Sequence, residues 1–215
     1  MSLSLLATSG GHLVLPDRAA LLVSASDGGN LVLLPPRPVW ERSELSPDEL
    51  ARWGWLVAAC GRAMLEVLPQ LEGGCLNYWE AGNWALNDAV APVGRKRARD
   101  HRSMHLHLLG RAPNSTDPAW RWGESPRFPN YAERHVWAAT HERLTPAECR
   151  AIVVAAETLL RARYAFADAD IAARGICARC GYPFAIANAA ATGTPTRTET
   201  EAEPTRCPEC RESAG

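Results

Sequence analysis

The sequence predicts an α+β fold: an antiparallel sheet with a packed helix, then a second helix and a small cysteine-rich tail. Three observations carry that prediction. Aliphatic runs broken by turn residues open the chain, helix-start signatures appear at Ser46 and Thr145, and two Cys-x-x-Cys pairs lie near the end. At 215 residues, 47% of them hydrophobic, the chain has enough apolar material for one medium domain plus an appendage.

The first run, residues 12 to 37, reads as a β-meander of "HLVLP", "AALLVSAS" and "NLVLLPP". Asp27-Gly28-Gly29 supplies the positive φ that a tight hairpin needs. A helix follows at "SPDEL", with Ser46 as N-cap, Pro47 at the first helical position and Glu49 closing a capping box. Leu50, Trp53, Leu56, Val57, Cys60, Met64 and Leu68 recur at helical spacing, so it runs to about residue 68. "CLNYWEAGNWAL" from Cys75 is the next strand, and Asn87 to Asp100 is a long polar loop. The stretch "GRAPNSTDPAWRWGESPRFPNY" is too rich in Pro, Gly and Trp for regular structure and is read as a wrap. Its tryptophans either wall off a base by stacking or cover the core. Thr145, Pro146 and Glu148 repeat the helix-start signature, and that helix persists to about Tyr164, with helix or turn to Arg174.

Between the long loop and the wrap lies "RSMHLHLLGR", residues 102 to 111. In a strand, successive side chains point to opposite faces. His105 and His107 then share one face, with Met104, Leu106 and Leu108 on the other. An imidazole with an ordinary pKa of about 6.5 is mostly neutral at neutral pH, and so serves as nucleophile, base or metal ligand. The adjacent "GRKRARDHR" supplies Arg95, Lys96, Arg97, Arg99 and Arg102, either a solvated loop or a phosphate-neutralising cluster. The formal net charge is −1, so affinity for polyanions has to come from such a local patch.

Of the seven cysteines, Cys60, Cys75 and Cys149 read as ordinary buried thiols. Cys177, Cys180, Cys207 and Cys210 form two knuckle-like pairs, which favours a tetrahedral zinc site that staples the tail over a redox motif. The 26-residue spacer is longer than the usual ribbon spacing of about 15 to 20. A low-complexity insert near 185–206, read as a mobile loop, accounts for the excess. The opening "MSLSLLATSGGHLVLP" has neither a charged n-region nor a long apolar run, so no membrane association and a cytoplasmic location are expected.

A hairpin, "LVLLPPRPV", "ELSPDELARWGWLVAACGRAML", "LNYWEAGNW" and "MHLHLLGR", in that order, resemble the histidine-triad (HIT) superfamily over roughly residues 12 to 112. Together with the second helix and the cysteine pairs, this gives a HIT-like domain over 1–140, a helical segment over 141–174 and a zinc-ribbon-like tail over 175–215. Counting back from Gly110-Arg111, His107 matches the last histidine of the triad and His105 the middle, nucleophilic one. Ser103 holds the place of the first, which completes the expected catalytic set. "AGNW" matches a Gly-Asn element that suggests Asn83 as a phosphate or ribose contact, and Arg102 and Arg111 are expected beside it. The implied function is nucleotidyl hydrolysis or transfer on a nucleotide or dinucleotide-type molecule, and the relatives suggest a homodimer. The pairing of zinc module and HIT-like domain is also similar to aprataxin-type repair proteins. The alternative is therefore a catalytically silent fold that binds nucleic acid or protein through its ribbon and basic loop.

Overall fold

The computed structural model describes residues 2–186 and 206–212. Five strands form the central sheet: β1 (Leu3–Thr8), β2 (Gly11–Leu15), β3 (Asn30–Leu34), β4 (Cys75–Ala81) and β5 (His105–Arg111). Their order is β1-β2-β3-β5-β4 and every neighbouring pair is antiparallel. The helices are α1 (Pro47–Val67), the short α2 (Ala98–His101), α3 (Arg134–Ala139), α4 (Pro146–Tyr164) and the short α5 (Pro208–Glu212). A separate hairpin pairs β6 (Arg174–Ile176) with β7 (Pro183–Ala185). The mixed architecture with an antiparallel sheet agrees with the sequence reading.

Strand alternation divides the sheet into two faces. Leu13 pairs with Leu33, Leu33 with Leu106, and Leu31 with Leu108. These side chains enter one core with Trp53, Leu56, Cys60 and Met64 of α1 and Ile152, Val153, Ala156 and Leu160 of α4. Both long helices start as expected, because Ser46 and Thr145 each accept from the backbone N–H three residues on while Glu49 and Glu148 reach back. The capping box satisfies donors that a helix start leaves unpaired, which sharpens both boundaries. On the other face, Val14, Val32, His107 and Trp79 form a continuous cross-strand row.

Two parts of the predicted meander are corrected. The run "AALLVSAS" is not a strand, although Leu21, Leu22 and Val23 are buried. Strand β2 pairs directly with β3, so the ladder positions this run would need are taken. It crosses the second face instead, and the N–H groups of Leu22 and Val23 donate to Asn30 Oδ1 at 3.1 and 3.4 Å. The missing strand comes from the N-terminus, where β1 pairs with β2 through a bulge between Ser4 and Leu6. Gly28 and Gly29 do adopt φ of 122° and 68°, but the turn seats Gly28 against Gly110 of β5. A Cβ on Gly28 would lie 2.5 Å from the Gly110 carbonyl carbon, so both backbones need glycine there. Helix α4 ends at Tyr164 as expected, with Ala165 in the left-handed region, φ 54°, and a 3-10 turn follows at Asp168–Asp170.

Asn30 is almost fully buried and stands in for a strand partner. Replacing it with Leu is expected to cost about 1–3 kcal/mol, since two buried N–H groups lose their acceptor. An unchanged urea midpoint for Asn30→Leu would contradict this account.

Beyond Gly110 and Arg111, which end β5, the predicted wrap holds no strand, and it is pinned by Trp120, which is 1% exposed and donates from Nε1 to the Gly110 carbonyl at 2.6 Å. Trp120 thus covers the core, whereas Trp122 is exposed. Cys60 and Cys149 are buried as expected, with both thiols pushed up by burial, that of Cys149 to about 12. Cys75 is exposed instead, because it opens β4, the edge strand. The mobile loop expected near 185–206 lies almost wholly outside the described residues.

Candidate active site

A cavity of about 410 Å³ opens where β4 and β5 carry the His107–Trp79 row. It is lined by His101, Ser103, His105 and His107, by Glu80, Gly82 and Asn83, and by the apolar surfaces of Ala20, Leu22, Trp79, Trp84 and Ala85. The strand spacing does what alternation requires, and the two β5 rings sit 5.0 Å apart, centroid to centroid. Trp79, directly opposite His107 in the register, stands 5.3 Å from that ring and stacks on Phe128 at 4.2 Å.

His105 is half-buried, and its Nδ1 lies 2.9 Å from the Ser103 carbonyl oxygen. A carbonyl only accepts, so the neutral ring carries its proton on Nδ1 and presents a lone pair at Nε2. The backbone of Ser103, not a third histidine side chain, fixes that tautomer. His107 is deeply buried, and its pKa is pushed down to about 3 by burial and then by the charge of neighbouring His105. It is therefore neutral at physiological pH. Its Nδ1 is buried without a hydrogen-bond partner. Orphaned N–H groups are rarer than orphaned acceptors, which places the His107 proton on Nε2, the nitrogen free to meet the cavity.

Burying a neutral histidine makes stability acid-sensitive. The unfolded chain binds the His107 proton below pH ~6.5 and the folded chain only below ~3, so stability falls as pH drops through that window. At pH 4.5 the expected loss is roughly 2–3 kcal/mol relative to pH 7. His107→Asn should flatten that part of the urea-stability profile; equal slopes for wild type and variant would refute the assignment.

The arginines behave differently from the expectation. Arg102 does not line this cavity: its guanidinium pairs with Glu41 at 2.5 Å and Glu80 at 3.5 Å and donates to the Trp40 carbonyl at 2.7 Å. Its stem packs on Gly82, where φ is 142° and a Cβ would come within 2.9 Å of Arg102 Cγ. Arg111, at the far end of β5, is buried over the Trp120 ring and donates to the carbonyls of Arg121 and Glu124. It anchors the wrap. Most cations of the preceding loop also have partners: Arg97 pairs with Asp100, Arg99 with Glu44, and Lys96 donates to Asn87 and Val90 carbonyls. Among the candidates, Asn83 and Ser103 do share the cavity with both histidines. Glu80, His101, Trp79 and Trp84 were missed. Trp79 and its strand neighbour Glu80 could have been found from the register that pairs β4 with β5; His101, at the end of α2, reaches the site only through the tertiary path of the long loop.

The four tail cysteines converge. Cys177 and Cys180 occupy the turn joining β6 to β7, while Cys207 precedes α5 and Cys210 lies within it. Their sulfurs all lie within 4.8 Å of one another, with Cys180 and Cys207 3.6 Å apart. Zinc–sulfur bonds of ~2.3 Å in a tetrahedron put sulfurs about 3.8 Å apart, so the donor set fits. Cys207 N–H donates to Cys177 Sγ at 3.3 Å. Cys177, Phe184, Cys207 and Cys210 also join the same apolar core as α1 and α4.

A scan of protein-family models finds none that matches the chain, and no curated protein matches it. Among solved structures, the chain is similar to a hypothetical histidine triad nucleotide-binding protein from Sulfolobus tokodaii strain 7. The two share 16% identity with a TM-score of 0.37, over 70% of this chain and 80% of that one. A likeness at that level settles neither fold family nor chemistry, which rest on the residues themselves. Among the described residues, no helix is long and apolar enough to cross a membrane.

Proposed function

We propose that this chain is a HIT-like nucleotidyl hydrolase or transferase in which His105 is the nucleophile. The observation that carries this reading is the His105 ring, held by the Ser103 carbonyl so that Nε2 bears the lone pair, at the wall of a cavity large enough for a nucleotide. Nε2 attacks the α-phosphorus; the N–P bond forms as the bond to the leaving group breaks, and the leaving group takes its electron pair and a proton from water. Throughout, the ring proton stays on Nδ1, which donates to the Ser103 carbonyl oxygen. Water or phosphate then attacks the same phosphorus, and the imidazole leaves with its lone pair restored.

His107 is suited to donate from Nε2 to a phosphoryl oxygen rather than to act as a general acid, since its pKa of about 3 leaves no second proton to give. Asn83 and the Ser103 hydroxyl are the remaining neutral donors at the rim, and Trp84, Leu22 and Ala20 offer an apolar seat for a base. The four cysteines, in the same proposal, hold one structural zinc in a ribbon. The alternative of a nucleic-acid module draws less support, because most cations of the basic loop already face neighbouring acids or carbonyls.

The test is adduct formation. Dinucleoside polyphosphates and nucleoside phosphoramidates, radiolabelled at the α-phosphorus, are incubated with the chain and quenched in alkali, where an N–P bond survives. An alkali-stable, acid-labile label on His105 supports the proposal; release of nucleotide at equal rates by wild type and His105→Ala refutes it.

A further inference from the structure

A second cavity, of about 380 Å³, lies where the wrap approaches the end of α3. Its lining is polar: Asp27, Asp117 and His141, with the hydroxyls of Ser24, Ser26 and Thr116. His141 is 6% exposed and its ring stacks on Trp137 at 5.5 Å. Nδ1 lies 2.8 Å from the Trp137 carbonyl and 3.0 Å from Thr140 Oγ1. That carbonyl only accepts, and the Thr140 hydroxyl already spends its proton on it at 2.9 Å. The Nδ1 atom must therefore carry the ring proton.

The consequence falls on Nε2. In the neutral ring it is a lone pair, buried and without a hydrogen-bond partner, and it faces Asp117 Oδ2 at 3.5 Å. Two lone pairs opposed at that distance repel unless a proton or a cation stands between them. The carboxylate cannot turn away, because Asp117 Oδ1 accepts from the Ala119 N–H at 2.8 Å. Among the described residues, no Lys or Arg side chain lines the cavity, and Asp27 adds a second carboxylate. Asp27 Oδ1 is taken by Ser115 Oγ and Thr116 N at 2.8 and 2.7 Å, while its Oδ2 meets only Ser26 Oγ at 3.4 Å.

We propose that His141 Nε2 and Asp117 Oδ2 bind a divalent first-row metal cation, with Asp27 contributing charge and water filling the other positions. Metal bonds of ~2.0–2.2 Å to imidazole and carboxylate place the two donor atoms about 3.4 Å apart at a tetrahedral angle, close to the separation seen. An imidazole in the donor set selects against calcium and magnesium, which take oxygen ligands. Bound there, the ion ties the wrap to the segment that leads into α4. The site is independent of the cysteine cluster and of the His105 cavity.

The zinc-loaded chain is titrated with Co²⁺ while the histidine ring protons are followed by NMR, with thiolate charge-transfer absorption reporting any cobalt that enters the cysteine cluster. The expected result is saturable, paramagnetic displacement of the His141 ring signals without thiolate absorption. Asp117→Asn and His141→Gln should each weaken that binding at least about tenfold. The wild-type ring signals carry the test even where a variant is unstable. The proposal is overturned if the His141 signals stay in place up to about 1 mM Co²⁺. It is equally overturned if His141 proves to be an imidazolium at neutral pH that cobalt does not displace.

Discussion

His105→Ala is expected to lower nucleotide release from a labelled phosphoramidate by at least about 10³-fold, with little change in nucleotide affinity. The nucleophile acts only once the N–P bond begins to form, so its loss falls on kcat rather than on binding. In the proposed function the base is seated on Trp84, Leu22 and Ala20, none of which the substitution touches. His107→Asn should cost less, on the order of 10²-fold, as expected for removal of one donor to a phosphoryl oxygen. Stopped-assay kinetics combined with equilibrium binding of the product nucleotide separate the two effects. A His105→Ala variant that retains kcat while losing affinity would mean that the ring binds the ligand and does not attack it.

Loss of the cysteine cluster is the second large effect. Cys177→Ser with Cys180→Ser is expected to remove one zinc per chain and lower Tm by about 10–20 °C, which corresponds to roughly 4–5 kcal/mol at this chain length. A ribbon that hung free would melt without disturbing the rest. Here the Cys177 and Cys207 side chains and Phe184 lie in the core shared by α1 and α4. Tyr182 also donates to the Leu144 carbonyl at 2.8 Å, and Arg150 to the Gly181 carbonyl at 2.6 Å. Unfolding the knuckles therefore exposes the start of α4, and the fall should appear in the main transition. Metal analysis and differential scanning calorimetry check both halves; a zinc-free chain with an unaltered melt would sink the assignment.

The residues that could be read in advance share a feature: their signal is local. The capping boxes at Ser46 and Thr145 lie within four residues and define both helix starts. The His-x-His alternation needs only the period of a strand, and it correctly set both rings on one face. Two Cys-x-x-Cys turns likewise present paired sulfurs whatever surrounds them. "AALLVSAS" misled because hydrophobicity marks burial, not pairing; whether such a run becomes a strand depends on which neighbour already occupies the ladder.

Composition and spacing alone thus determined the long helices, the histidine strand and the four-sulfur donor set, since each follows from backbone geometry over a few residues. Only tertiary structure decided which charges are free. Arg102 and Arg111 look alike in sequence to a phosphate clamp, yet Glu41, Glu80 and the carbonyls of the wrap consume them. The same holds for the His105 tautomer and for the lone pair of His141, each set by a carbonyl whose direction depends on how the chain is folded around it. A charge or a lone pair is defined by what stands opposite it, and the sequence does not print that neighbour.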